Sequence, residues 1–532
     1  MSVIQNNLLM TPEGYQISRS VRLRRSASAY FNRTFGTPTN ANIWTLSGWT
    51  KRGLLGTQIS LFGASVSSYT SVSFLAGDTL RINLGNGTNG SLVTTQVFRD
   101  PSAFYHIAIA YDSTQATASN RIKLYINGVQ VTAFSTANYP AQNVSAEWNY
   151  SGAVGTIGTA ATEYFDGYLT EVNFIDGQAL TPSSFGETDP ITGVWKPKKY
   201  AGTYGTNGFY LNFSDNSAAT AAAIGKDSSG NGNNWTPNNI SVTAGVTYDS
   251  MIDVPTMWAD GGNGRGNYCV LNPLDVSPTE SSGRASISDG NLTVTGGNQF
   301  ARGWQIPSSG QWYWEITLVD YYNGAPPFIW GQHGISSGLA GNTTGIKLWA
   351  DTSGGIMQDG AKVQTFSTWA NNDVIGFAYD AVTRSMSVYR NGTQLGTSVT
   401  ANATDKYVYS FLNGTADTSS VAYNFGQRPF AYTPPTGFKA LNTQNLPAGS
   451  ITTSGSFTGN ASADGPFVYL NGVPTAMTIN GNAVTFATHV DKTANGFKLR
   501  TSSSSYNASG SNTYSISTTG AKFKYANAQV NP

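Results

Sequence analysis

A single cysteine, Cys269, in 532 residues leaves no intrachain disulfide framework to stabilise this chain. Histidine is nearly as scarce. His106, His333 and His489 stand far apart, so no paired spacing suggests zinc. Charged residues make up 11% and the formal net charge is +1, which supplies no basic face for a nucleic-acid partner. No apolar run approaches the ~18 residues that span a bilayer, so membrane insertion is not expected. The opening "MSVIQNNLLMTPEGYQ" lacks the basic flank and apolar core of a signal peptide, and synthesis in a cytoplasm is the expectation. Periodic Glu, Lys, Leu and Ala arrays are missing, and so are heptads. Helix-rich domains and coiled-coil stalks are therefore not encoded.

Glycine, with 59 residues, and aromatics, at 12%, are plentiful, as are Ser, Thr and Asn. That mixture makes strands from β-branched and ring side chains and corners from Gly and Asn. The fold class expected is all-β. The length exceeds one ordinary core and suggests roughly three to four domains. Period-two stretches such as "NIWTLSGWTKRG" and "FYHIAIAYDSTQATASNRIKLYINGVQV" read as strands between tight turns. One phrase recurs: "KLYINGVQV" from Lys123, "SVYRNGTQLG" from Ser387 and "FVYLNGVPT" from Phe467. Asn-Gly suits a type I′ turn, which needs positive φ at both positions. Each phrase is read as a strand closed by such a turn, used in three separate β modules at intervals too uneven for a solenoid.

These patterns divide the chain into a first β module with its linker (15–250), a second (251–446) and a small C-terminal β domain (447–532). Residues 1–14 precede them and are read as a docking segment, an added strand or anchor on a neighbouring protein.

"FYHIAIAYDS…NRIKLYINGVQV" followed by "GTIGTAATEYFDGYLTEVNFIDGQALTPSSF" resembles the laminin-G/concanavalin A-like jelly roll over about residues 15–185. Tyr105-His106 stands where that family usually has Trp-His. "GQWYWEITL", "GQHGIS", "DVIGFAYDAVTRSMSVYRNGTQLG" and "GFKAL" resemble a SPRY domain, a second β-sandwich. The ensemble, with its "GVWKPKKYAGTYGTNGFYLNFSDNSAA" and "KDSSGNGNNWTPNN" linkers and its "NGFKLRTSSSSYNASG…FKYANA" end, is similar to tailed-bacteriophage virion proteins. The resemblance implies two sandwiches plus a small β domain in a virion protein made in the bacterial host. It implies a tail-fibre or appendage adhesin that contacts host-surface glycan and other virion proteins as a homo-oligomer, with a trimer as one option. A capsid decoration or head-fibre protein with a structural role is the alternative.

No catalytic constellation is evident. A glycan hydrolase needs two carboxyl groups ~5–10 Å apart. In "TEVNFIDG", Asp176 lies an odd number of residues beyond Glu171 and would face away from it on a regular strand. Glu315 and Asp320 fail the same test. The chain is read as not an enzyme, and hydrolysis would need carboxylates converging from distant loops. His106 is read as a packed strand residue and Cys269 as a small buried apolar one. Binding chemistry rests on aromatics in turn-rich text: Trp148, Tyr150, Tyr321, Tyr322 and Trp330. Trp312 and Trp314 share one strand face and are assigned to the core. No cofactor is required, although Asp227, Asn231 and Asn233 form an oxygen-rich string that could hold calcium. Arg19, Arg22, Arg24 and Arg25 are read as solvated positions of an early strand rather than as a clamp for an acidic partner.

Overall fold

A computed structural model of the chain describes residues 14–189, 193–276, 286–296, 299–320, 330–337, 345–350, 354–405, 407–413, 419–446, 454–470, 474, 476–493 and 496–516. The fold is nearly all-β. Among the described residues, no helix is long and apolar enough to cross a membrane.

The first module is a sandwich of two eight-stranded sheets. Strand Ile43–Arg52 lies at the centre of one sheet, antiparallel to Tyr105–Asp112 and to Gly167–Asp176. The other sheet runs through Ile59–Ser65, Tyr69–Phe74 and Val154–Ile157. Phe31, Trp44, Leu46, Phe62, Leu169 and Phe174 fill the space between them. The second module is another sandwich. An eight-stranded sheet centred on Gln311–Asp320 faces a six-stranded sheet that contains Trp330–Ser336. Trp312 and Trp314 are buried in its core, as their shared face requires. A four-stranded and a three-stranded sheet make the third unit.

Two copies of the repeated phrase form type I′ hairpins. Strand Ile122–Ile126 turns through Asn127 (φ 48°) and Gly128 (φ 83°), and Ser385–Arg390 turns through Asn391 (φ 50°) and Gly392 (φ 80°). Both asparagines do a second task. Asn127 Oδ1 accepts from His106 N–H (2.8 Å), and Asn391 Oδ1 accepts from Val374 N–H (2.8 Å). Each turn thus also fixes the start of the neighbouring strand. In the third copy the Asn471-Gly472 pair lies outside the described residues. Strand Phe467–Tyr469 pairs with Gly496–Leu499, and the strand that follows it, Met477–Ile479, belongs to the other sheet.

The first two sandwiches share a core. Trp49, Phe104, Tyr168 and Met251 pack into the cluster of the second sandwich. This covers the outer face of the Ile43–Arg52 sheet, so strand Gly167–Asp176 is buried at every residue. The covered face is polar and is matched by polar groups. Lys51 Nζ donates to Asp253 Oδ2 (2.9 Å), Asn267 Oδ1 (2.7 Å) and Tyr268 O (2.9 Å). Asp166 accepts from Asp289 and Gly290 N–H (2.9 and 2.7 Å). Burial, with Asp289 nearby, pushes the Asp166 carboxyl up to about 6.

The arginines are not the solvated row that was expected. Arg22 is fully buried, its Nε 3.1 Å from Asp249 Oδ1, and Arg24 Nε lies 2.8 Å from the same oxygen. Arg19 donates to Ser250 O (3.2 Å), while Arg25 is exposed. Three of the four arginines therefore bind the segment that leaves the first sandwich. The acidic partner of Arg22 and Arg24 is Asp249 of the same chain.

Candidate functional site

Strands Ile59–Ser65 and Tyr69–Phe74 are joined by a tight turn in which Val66 N–H donates to Ser68 O (3.2 Å). Val154 pairs with Ser65 on one side and with Thr34 on the other. Loop 147–153 therefore leaves the sandwich at the same end as that turn. Glu147 fastens the two together, because its carboxylate accepts from both Ser68 Oγ and Thr70 Oγ1. Within the loop, Tyr150 N–H donates to Glu147 O and Ala153 N–H to Tyr150 O (both 3.1 Å). Asn149 takes a left-handed φ of 74° and is held by Asn40 O (3.0 Å) and Asp176 Oδ1 (2.6 Å).

This geometry separates the two aromatics predicted for the loop. Tyr150 projects outward and is 47% exposed. Trp148 is fully buried, with Phe35, Phe62, Phe174 and Trp235 around its ring at centroid distances of 5.5, 6.1, 5.8 and 6.4 Å. As a ligand-stacking residue Trp148 is therefore a misassignment. It plugs the end of the core, and the loop chain reverses direction immediately after it. Val66 (54%), Tyr69 (37%) and Val154 (39%) stand at the same end, and sequence reading missed all three. Four of the nine exposed large hydrophobics described thus gather on two tethered loops. A cluster of this kind marks a contact surface more than scattered single residues do. Tyr321 and Tyr322 lie outside the described residues. Trp330 is described only by its backbone position at the start of strand Trp330–Ser336.

The string proposed for calcium is committed elsewhere. Asp227 accepts four hydrogen bonds, from Tyr210 N–H and Ser229 N–H at Oδ1 and from Ser229 Oγ–H and Asn233 N–H at Oδ2, all 2.8 Å. Asn233 Oδ1 accepts from Arg33 (2.5 Å), and Asn231 Nδ2 donates to Gly205 O and Gly208 O (2.7 and 2.9 Å). Each Asp227 carboxylate oxygen thus accepts two hydrogen bonds, and the Arg33 guanidinium rests on Asn233. The string acts as a loop staple. Among the described residues, no group of three or more His, Cys, Asp or Glu could hold a metal ion.

The remaining titratable groups are structural in their contacts. His106 Nδ1 accepts from Trp195 Nε1–H (3.0 Å), and its Nε2 lies 2.8 Å from Ser47 Oγ. Burial lowers its pKa to about 3, and does the same for His333. Glu171 sits at a β-bulge with φ 53° and accepts from Tyr15 Oη and Tyr210 Oη (both 2.8 Å). Burial raises it to about 7 against those hydrogen bonds. The bulge was not visible in the sequence. Asp176 accepts from Thr39, Asn40 and Asn207 N–H (2.7, 3.1 and 3.0 Å) and shares no partner with Glu171. Glu315 accepts from Ala431 and Tyr432 N–H (2.8 and 3.0 Å), whereas Asp320 is exposed. Cys269 is buried.

Residues 26–184 match the laminin-G-type family model of the concanavalin A-like lectin/glucanases superfamily. No curated protein matches the chain. Among solved structures, the SPRY domain of human HERC1 matches at 18% identity and TM-score 0.24, covering 29% of this chain and 96% of that one. A native heptameric SAP-like pentraxin from Limulus polyphemus matches at 16% and 0.25, over 32% and 80%. A Bacteroides ovatus protein provisionally described as carbohydrate binding matches at 14% and 0.27, over 42% and 59%.

Proposed function

We propose that this chain is a non-catalytic glycan-binding protein of a tailed-bacteriophage virion, a tail-fibre or appendage adhesin that holds host-surface saccharide at the Tyr69–Tyr150 end of its first sandwich. One observation carries the binding reading: two exposed tyrosines and two exposed valines on loops tied together by Glu147. Rings of this kind present an apolar face to sugar C–H groups, while nearby hydroxyl, amide and carboxylate oxygens meet sugar hydroxyls. The match of residues 26–184 to a lectin-containing superfamily supports the same reading. The virion role rests on the resemblance of the linker and C-terminal segments to phage proteins. A shallow patch gives weak contacts, so a homo-oligomer displayed in many copies would supply avidity.

The test is binding of fluorescently tagged protein to host cells, with phage adsorption followed in parallel. Saturable labelling that slows adsorption, and that falls at least about fivefold in Y69A/Y150A, is expected, since two stacking side chains contribute on the order of 1–3 kcal/mol together. Unlabelled cells, combined with binding to particles stripped of the protein, would replace the adhesin with a capsid decoration protein. Release of reducing sugar from host polysaccharide would replace it with a hydrolase.

A further inference from the structure

A cleft of about 620 Å³ opens where all three modules meet. Leu54 of the first module and Leu274 and Ile287 of the second give it an apolar side. Its cationic wall is made of Arg99 of the first module with Lys498 and Arg500 of the third. Asp491, fully buried behind that wall, explains why the two guanidiniums stand side by side. Its Oδ2 lies 3.4 Å from Arg99 Nη1 and 2.6 Å from Arg500 Nε. Arg99 Nε is also 3.0 Å from Asp78. Arg500 Nη1 lies 3.5 Å from Asp464 Oδ1 at the rim. The two arginine side chains remain 27% and 25% exposed and line the cleft.

Lys498 points the same way. It is almost fully buried, 3.1 Å from Asp464 Oδ1, and burial lowers its pKa despite that neighbour. Asp464 is 47% exposed and competes for the same cations from the rim. Arg52, Arg99, Lys498 and Arg500 against Asp78, Asp464 and Asp491 leave this ion-paired cluster with an excess of one positive charge.

We propose that this three-module cleft is a binding site for an acidic sugar unit, its carboxylate on the Arg99–Arg500 pair and the C–H face of its ring on Leu54, Leu274 and Ile287. Paired guanidiniums present parallel donors that match a planar carboxylate, and the volume lies within the range of small-molecule sites. Nothing in this site depends on Tyr69 or Tyr150. Because residues of all three modules would touch the ligand, its binding would also oppose their separation.

The test is isothermal titration calorimetry of the full chain with glucuronate, glucose and inorganic phosphate as probes. Glucuronate is expected to bind and to raise the melting temperature, with glucose at least about tenfold weaker, the equivalent of one charge-assisted hydrogen bond. Asp464→Asn removes the competing carboxylate at an exposed rim position and should tighten glucuronate several-fold. Arg500→Gln should weaken it about tenfold, and Y69A/Y150A should leave it unchanged, which separates this site from the host-glycan patch. Phosphate binding as well as glucuronate would overturn the sugar assignment. Absence of glucuronate binding, or wild-type affinity in both Asp464→Asn and Arg500→Gln, would overturn the site.

Discussion

Lys51→Met tests whether the first two sandwiches are joined by a matched polar contact. Lys51 and Asp253 have fully buried side chains 2.9 Å apart. In the variant, Asp253 keeps only the Tyr268 N–H at 3.2 Å, while burial continues to push its carboxyl up without the lysine that now opposes this. An uncompensated buried charge costs about 3–5 kcal/mol. Asp253 can escape that cost by taking a proton, so the loss should be largest at alkaline pH and shrink as the pH is lowered. In K51M/D253N the stranded charge is gone, and much of the loss should return. Differential scanning calorimetry suits a chain of several modules, and limited proteolysis of the 246–266 segment reports their separation. A K51M loss below about 1 kcal/mol with no pH dependence, or a double variant as unstable as the two single losses added together, would refute the reasoning.

Glu171→Gln should stabilise the protein at high pH. Burial pushes the native carboxyl up to about 7, well above the ordinary glutamate range, so the folded state prefers the proton and the charged form costs stability above pH 7, up to about 3 kcal/mol. Urea unfolding should show that gain at pH 8 and little of it at pH 4.5. Trp148→Ala should cost about 3–5 kcal/mol through a cavity in the ring cluster, while Tyr150→Ala should stay within about 0.5 kcal/mol in the same assay. Calcium or a chelator should shift the melting temperature by less than about 1 °C, whereas Asp227→Ala, which frees buried backbone N–H donors such as that of Tyr210, should cost about 2–4 kcal/mol. In a 13C-histidine NMR titration, His106 and His333 should remain neutral at pH 5, because burial holds both near 3.

The strands and hairpins were legible because their signals are local. Alternation over a handful of residues and an Asn-Gly pair determine a hairpin with little help from elsewhere, as the turns at Asn127 and Asn391 show. The third copy carries the same letters, yet the strand that follows it joins another sheet. Whether a strand pairs with its sequence neighbour depends on the space left by the rest of the module, which a nine-residue phrase does not encode. Trp148 and Tyr150 failed as a pair for a related reason. Both are large rings in turn-rich text, and only the position of the Phe35, Phe174 and Trp235 rings decides which one is drawn inward.

The covered face of the central sheet is the most instructive miss. Thr45, Ser47 and Lys51 alternate with Trp44, Leu46 and Gly48, a pattern normally read as core on one side and water on the other. Polar groups are equally compatible with a buried face when the covering surface brings acceptors. Here Gln178 O takes the Thr45 hydroxyl (2.7 Å) and His106 meets Ser47 from within the first module, while Asp253 with its neighbours in the second takes Lys51. The same logic hides Arg22 and Arg24, whose charges met Asp249 instead of solvent. A signal was present in the outward row itself. Trp49 belongs to that row and Tyr168 pairs with Lys51 on the adjacent strand, so two large aromatics sat on a face otherwise read as solvated. Rings that size are costly to leave in water. Aromatic residues at the polar parity of a strand therefore mark a face awaiting a cover, and in this chain the cover is the next module.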